Sequence, residues 1–181
     1  MPSLTVIRHS LTIANEQGLL MGSRLNSPLS KKGVELARAK AISLKADGFI
    51  PERVYTSKLL RTQQTANIIL EELGLKVEII ELEGLNERDF GIYDGKPIQE
   101  LLDGFDEHGS NPPTVETVEH FVTRVVACLE QIKGESNTST LIVTHNNTTN
   151  AMKAALFDPK NLLRYWETND AEYCEGFTYT F

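Results

Sequence analysis

Cysteine is scarce: the 181 residues hold two, Cys128 and Cys174, far apart and outside any Cys-x-x-Cys pair. Neither a disulfide framework nor a cysteine metal site is signalled, and both thiols read as packing residues. No apolar run approaches the ~20 residues that span a bilayer. The opening Met-Pro-Ser-Leu-Thr-Val-Ile has no basic leader and no long apolar segment ending in small residues, so a cytoplasmic location without membrane contact is expected. Cations are also in deficit. With 18 Lys and Arg against 25 Asp and Glu, the net charge of −7 would repel a nucleic acid. A small anion is compatible with that balance, because it needs only a few converging cations.

Repeats and low-complexity tracts are absent as well, while 40% hydrophobic and 24% charged residues are ordinary for a globular chain. One domain over residues 1–181 is expected. Residues 3–7 form a short β-branched run that stops at Arg8-His9, which suits a buried strand ending at a polar edge. A loop around 15–28 leads to Ser30, a cap for a helix that Gly48 ends. A strand is expected at 53–56, then Ser57 as the cap of a helix running to Leu73 and stopped by Gly74. Residues 75–81 alternate as a strand, and 85–96, with Gly91 and Gly95, read as a loop carrying Glu87.

After Pro112-Pro113, apolar spacing predicts an amphipathic helix from Val115 to Lys133. Residues 139–144 repeat the opening pattern and end in His145, and a helix is expected over 147–156. Strands alternating with helices predict an α/β fold with a mainly parallel central sheet flanked by helices on both faces. The run 173–181 would add an edge strand, which could stay capped or pair two subunits into a homodimer.

Of four histidines, at 9, 108, 120 and 145, only the first and last follow strand-like runs. In a parallel sheet they would meet beyond the strand ends, where ligands bind. A lone strand-end histidine is usually structural, a lone Arg8 or Arg61 a surface cation, and Glu87 a solvated carboxylate. Together they suit phosphoryl transfer, which needs forked cations around the phosphoryl oxygens and an in-line nucleophile. A neutral imidazole can attack phosphorus and later release it to water. The histidines lack zinc-ligand spacing, and the arginines could stabilise charge without a metal, so neither metal nor cofactor is expected.

Five dispersed segments then carry a resemblance. They are Val6-Ile7-Arg8-His9 with Thr12 and Asn15, followed by Pro28-Leu29-Ser30 with Gly33; Ser57-Lys58-Leu59-Leu60-Arg61 with Gln64-Thr65-Ala66; Leu85-Asn86-Glu87 with Gly91; and Val143-Thr144-His145. In this order they resemble the histidine phosphatase superfamily, which also contains the cofactor-dependent phosphoglycerate mutases. The resemblance covers nearly the whole chain. It implies a phosphoglycerate mutase-like fold and a phosphohistidine on His9. Arg8, Arg61 and His145 would hold the phosphoryl oxygens, and Glu87 would protonate the leaving oxygen. A phosphate dianion beside Glu87 would favour its protonated form. Asn15 and Asn146, with Thr12, are additional candidate substrate contacts.

Departures from the family pattern set further expectations. Ser10 and Asn146 follow the two histidines where glycine is usual; both add side chains near the phosphate, a crowding that would slow the enzyme or make it more selective, and a positive φ there would be tolerated better by asparagine than by serine. Residues 97–113 contain no Arg and are too few for the mutases' insertion; Asn150 and Phe90 replace their Arg and Tyr. Hydrolysis of small phosphomonoesters is therefore favoured over mutase activity. Protein phosphohistidine hydrolysis and noncatalytic phospholigand binding are the other readings. Arg24, Arg88 and Lys96 stand as second-anion candidates against a reading as solvated loop cations.

Overall fold

The computed structural model describes residues 2–104, 112–167 and 171–181. His108 and part of the 97–113 segment lie outside the described residues. In chain order the elements are β1 (Ser3–Arg8), α1 (Ile13–Glu16), α2 (Lys31–Ala46), β2 (Arg53–Thr56), α3 (Leu60–Leu73), β3 (Ile79–Glu81), α4 (Ile98–Asp103), α5 (Val118–Glu135), β4 (Ser139–Thr144), α6 (Asn146–Phe157) and β5 (Gly176–Thr180). Short 3-10 turns occur at Glu83–Leu85 and Gly91–Tyr93, and a kinked one spans Pro159–Glu167.

Among the described residues one five-stranded sheet forms, in the order β3-β2-β4-β1-β5. Its pairings are parallel except for β5, which runs antiparallel along the free side of β1. The central strands β2, β4 and β1 are buried on both sides, and the two-residue period of each divides its side chains between two cores. Leu4, Val6, Tyr55 and Ile142 pack towards α5 and α6. Ile7, Val54, Leu141 and Val143 pack towards α2 and α3. The fold is α/β, and the expected edge strand is β5. Both cysteines are buried.

Three expectations shift. The third strand covers only Ile79–Glu81, because its partner β2 is four residues long and pairing starts at Val54 with Ile79; Leu75 and Val77 instead pack into the α2–α3 core. The long helix begins at Val118, where the Thr117 hydroxyl accepts from the His120 amide at 3.2 Å, and Val115 joins a small cluster with Phe90 and Leu101. Ser57 does not cap α3, whose N-cap is Leu59 without a side-chain cap bond. Ser30 does cap α2, accepting from Gly33 N at 3.1 Å. Gly33 is required there, since a β-carbon would lie 1.9 Å from the Leu11 carbonyl oxygen.

Candidate active site

Parallel pairing of β1 with β4 puts Arg8 opposite Thr144, so the next residues, His9 and His145, emerge side by side. The His9 amide donates to Thr144 O at 2.8 Å, and the two rings lie edge to face with centroids 5.2 Å apart. A cleft of about 770 Å³ opens beyond these strand ends, and Arg8, His9, Asn15, Arg61, Glu87 and Asn146 all line it. His145 is fully buried behind them.

His9 is nearly buried, and its Nδ1 lies 2.7 Å from the Ser10 carbonyl oxygen. A carbonyl only accepts, so Nδ1 carries the proton and the neutral ring keeps its lone pair on Nε2. Among the described residues no other hydrogen bond engages that ring. Burial, reinforced by Arg61 and Arg8, holds the His9 pKa well below the usual histidine value, so the ring is neutral at pH 7.

Arg61, in the first turn of α3, is fully buried and donates from Nε to His145 Nδ1 (3.2 Å), from Nη1 to Leu25 O (3.0 Å) and from Nη2 to Gly22 O (2.7 Å). Burial lowers its pKa to about 10, which leaves it cationic at neutral pH. These bonds use three of the guanidinium's five N–H groups. Arg8 donates from Nη1 to Ala171 O at 2.9 Å and lies under the Tyr173 ring, 4.0 Å from its centroid. Its buried Nε has no partner among the described residues, an uncommon condition for a charged donor.

His145 follows from its partners. An arginine N–H only donates, so Nδ1 is the acceptor, and Nε2–H donates to Ser57 Oγ at 2.8 Å. Ser57 Oγ also takes the Leu59 amide at 3.1 Å, which leaves its own proton for Thr62 Oγ1 at 2.9 Å. Burial first, then Arg61 and His9, hold this imidazole's pKa well below the usual value too.

Glu87 is buried on the loop before Gly91, its carboxylate accepting from the amides of Arg88 (2.9 Å) and Asn147 (3.2 Å). Three elements fix that loop: Arg124 of α5 donates to the carbonyls of Gly84, Asn86 and Glu87, Thr144 to Leu85 O, and Thr148 to Asn86 O. On the far side of Glu87 a second concavity of about 400 Å³ carries Glu116, whose carboxylate accepts from both His120 and Arg124.

The remaining candidates divide. Asn15 accepts at Oδ1 from Thr12 N and Oγ1, so its amide nitrogen is left for the cleft. Thr12 caps α1 and does not reach the cleft. Ser10 turns away to donate to Gly33 O at 2.6 Å, and Asn146 accepts from Ala171 N. Neither has a positive φ, which among non-glycine described residues occurs only at Cys174, so no left-handed backbone strains either position. Arg24 is tied to Asp89 and Lys96 to Glu100 on exposed surface. Arg88 is no solvated loop cation: it is buried, lines the cleft and donates from Nε to Glu116 O at 2.9 Å.

Sequence reasoning missed the contacts of Ser57 and Tyr173. Ser57 stood in a recognised segment yet its pattern matched a helix cap, and nothing local marked Tyr173. It also missed the cleft's apolar walls. Among the described residues no group of three His, Cys, Asp or Glu side chains is arranged to hold a metal, and no helix is long and apolar enough to cross a membrane.

The profile of the histidine phosphatase superfamily (branch 1) matches residues 4–175. A 2,3-bisphosphoglycerate-dependent phosphoglycerate mutase of Parvibaculum lavamentivorans is 35% identical over 164 residues, 81% of this chain and 76% of its own length. A protein of Hydrogenobacter thermophilus named as a candidate phosphoserine phosphatase is 34% identical over 168 residues, 86% and 79% of the two chains. Among solved structures, a phosphoglycerate mutase of Bacillus anthracis superposes with a TM-score of 0.82 at 23% identity, covering 97% of this chain and 86% of that one. An α-ribazole phosphatase of Shigella flexneri gives 0.78 at 24%, covering 94% and 86%; at such identities these two structures speak for the fold. The profile match over almost the entire chain, on a fold of the same architecture, establishes that this protein belongs to the histidine phosphatase superfamily and is an enzyme of that phosphatase class.

Proposed function

We propose that the protein hydrolyses small phosphomonoesters through a phosphohistidine on His9, without a metal. The observation that carries this reading is the state of His9. It is a neutral imidazole whose proton is committed to the Ser10 carbonyl, lining a cleft between two arginines, one of them with a buried Nε that finds no partner among the described residues. In the first step His9 Nε2 attacks phosphorus and the P–O bond to the substrate breaks. Glu87, as the acid, gives its proton to the departing oxygen, and the alcohol leaves. In the second, Glu87 takes a proton from water, the oxygen attacks phosphorus and the N–P bond breaks, releasing phosphate.

Arg8 and Arg61 stabilise the equatorial oxygens throughout, the task a metal would otherwise have. Asn15 donates from its amide nitrogen, Asn146 borders the substrate, and His145 turns Nε2–H from Ser57 to a phosphoryl oxygen. Water is favoured as acceptor over a second phosphorylated acid because Arg24 and Lys96 are already paired outside the cleft. A protein carrying one phosphohistidine is a further substrate class, less favoured because the reacting atoms lie at the base of a deep cleft.

The test is release of phosphate from p-nitrophenyl phosphate in EDTA, with His9→Ala purified identically. Turnover by the wild type, absent in the variant, is expected, together with an acid-labile phosphoenzyme. Equal turnover in both proteins would sink the assignment of His9. Binding of phosphate without turnover would favour the noncatalytic module, and bisphosphoglycerate-dependent isomerisation of phosphoglycerate the mutase.

A further inference from the structure

The cleft has two chemically different ends. At its base lie Arg8, His9, Arg61 and Glu87; outward, the only other charged side chain that the described residues place on its wall is Arg88, already bonded to the Glu116 carbonyl. Asn15, Asn146, Asn147, Tyr165 and Tyr173 also border the cleft, and the larger share of the remaining described wall is carbon. Leu19 and Met21 come from the loop after α1, which is pinned where Leu19 bridges to Pro97. Ile98 and Leu102 come from successive turns of α4, and Trp166 from the turn after α6. Ile98, Leu102 and Trp166 are 55%, 54% and 50% exposed. A rim of large apolar side chains continuous with a catalytic cavity is what a protein exposes when a ligand covers it.

The cleft's total of about 770 Å³ far exceeds the room a phosphoryl group needs. A sugar or a hydroxy acid placed there would lose water from its hydroxyls or carboxylate against leucine, isoleucine and tryptophan, gaining few hydrogen bonds in return. An alkyl or aryl body gains by leaving water along the same wall.

We infer that the natural substrate is a monoester joining phosphate to an apolar body, a long-chain alkyl or aromatic alcohol, which lies along the wall formed by Leu19, Met21, Ile98, Leu102 and Trp166. This rests on the phosphatase reading above and names its substrate class. The reaction is unchanged: His9 displaces the apolar alcohol, which departs with the Glu87 proton, and water then displaces His9 from phosphorus. The apolar body sits away from the reacting bond, so its binding raises kcat/KM without altering the chemistry.

A homologous series of primary alkyl phosphates isolates that binding, because the leaving alkoxides hardly differ. We would measure kcat/KM for ethyl, butyl and hexyl phosphate beside glycerol 3-phosphate and 3-phosphoglycerate, with p-nitrophenyl phosphate as the control for turnover. The expected result is a rise of roughly threefold to fourfold for each added CH₂, with hexyl phosphate well above both polar substrates. Leu102→Ser and Trp166→Ser, changed at half-exposed positions where folding is little at risk, should each lower the hexyl-to-ethyl ratio by about threefold to tenfold.

A flat series, faster turnover of glycerol 3-phosphate or 3-phosphoglycerate than of hexyl phosphate, or an unaltered ratio in both variants would overturn the substrate class while leaving the phosphatase reading intact. No phosphate from any substrate, p-nitrophenyl phosphate included, would overturn both together.

Discussion

His9 and His145 are built alike, each one residue beyond a buried strand, the strands being parallel neighbours, and each is nearly or fully buried beside Arg61. Their hydrogen bonds make them opposites. His9 gives its Nδ1 proton to a carbonyl and keeps an Nε2 lone pair; His145 has Nδ1 occupied by Arg61 and its Nε2 proton held by Ser57. Burial and the surrounding cations hold both rings neutral at pH 7, so charge does not distinguish them. The tautomer does. On the proposed mechanism the lone pair presented to the cleft makes His9 the nucleophile, whereas His145, bonded at both nitrogens, orients an arginine and offers at most a proton.

Replacing each histidine by glutamine is the strongest attempt to break that contrast. Glutamine has no nitrogen able to attack phosphorus, so His9→Gln should lose at least about a thousandfold in kcat and form no phosphoenzyme. At 145 the same amide offers one acceptor and one donor, within reach of Arg61 and Ser57. His145→Gln should therefore lose only about tenfold to a hundredfold and still be trapped as a phosphoenzyme on rapid quenching. Equal loss in the two variants, without trapped intermediate in either, would show that the tautomer argument assigns the wrong division of labour.

Much of this arrangement was legible beforehand, and the reason is local. Buried parallel strands write themselves as short β-branched runs, and a polar residue ending such a run announces the sheet edge, so β1, β4, His9 and His145 could be placed together. The rest depended on distant pieces of chain. Ser57 looks like a helix cap because serine before a helix usually is one, but the nearby Nε2–H of His145 and the Leu59 amide claim its oxygen. Tyr173 reaches Arg8 only because β5 returns antiparallel beside β1. The apolar walls of the cleft come from separate loops and turns, each unremarkable in its own stretch of sequence. Arg88 looked solvent-facing because a loop near glycine carries no sign of burial.

A smaller effect follows from the neutrality that the two rings share. Below about pH 6.5 the imidazoles of the unfolded chain take up protons, while the folded ones, with pKa values held below the usual one, do not. Acid therefore favours the unfolded chain. Stability should fall as pH drops below that value, by up to about 1.4 kcal/mol per pH unit for each histidine, and level off once the lowered folded pKa values are passed. Thermal unfolding between pH 7 and 5 should consequently show a shallower acid loss in His9→Gln than in the wild type. Asp94, whose carboxyl is pushed up to about 6 by burial, works in the opposite sense but equally in both proteins. Identical slopes would mean that His9 is not kept neutral.

The finest adjustment of the contrast is Ser57→Ala. On the proposed mechanism phosphate competes with Ser57 for the Nε2–H of His145, so removing the hydroxyl takes away the competitor without touching His9, Arg8 or Glu87. Losing the Leu59 and Thr62 contacts should cost about 1 kcal/mol of stability, visible as a lower Tm. Inhibition by inorganic phosphate should nonetheless become tighter, by roughly threefold to fivefold, the worth of one hydrogen bond no longer exchanged. A weaker phosphate interaction would carry a different meaning. It would show that Ser57 matters by holding His145 against Arg61 Nε, that the second histidine acts on phosphate only through the arginine, and that His9 alone of the pair touches the transferred group.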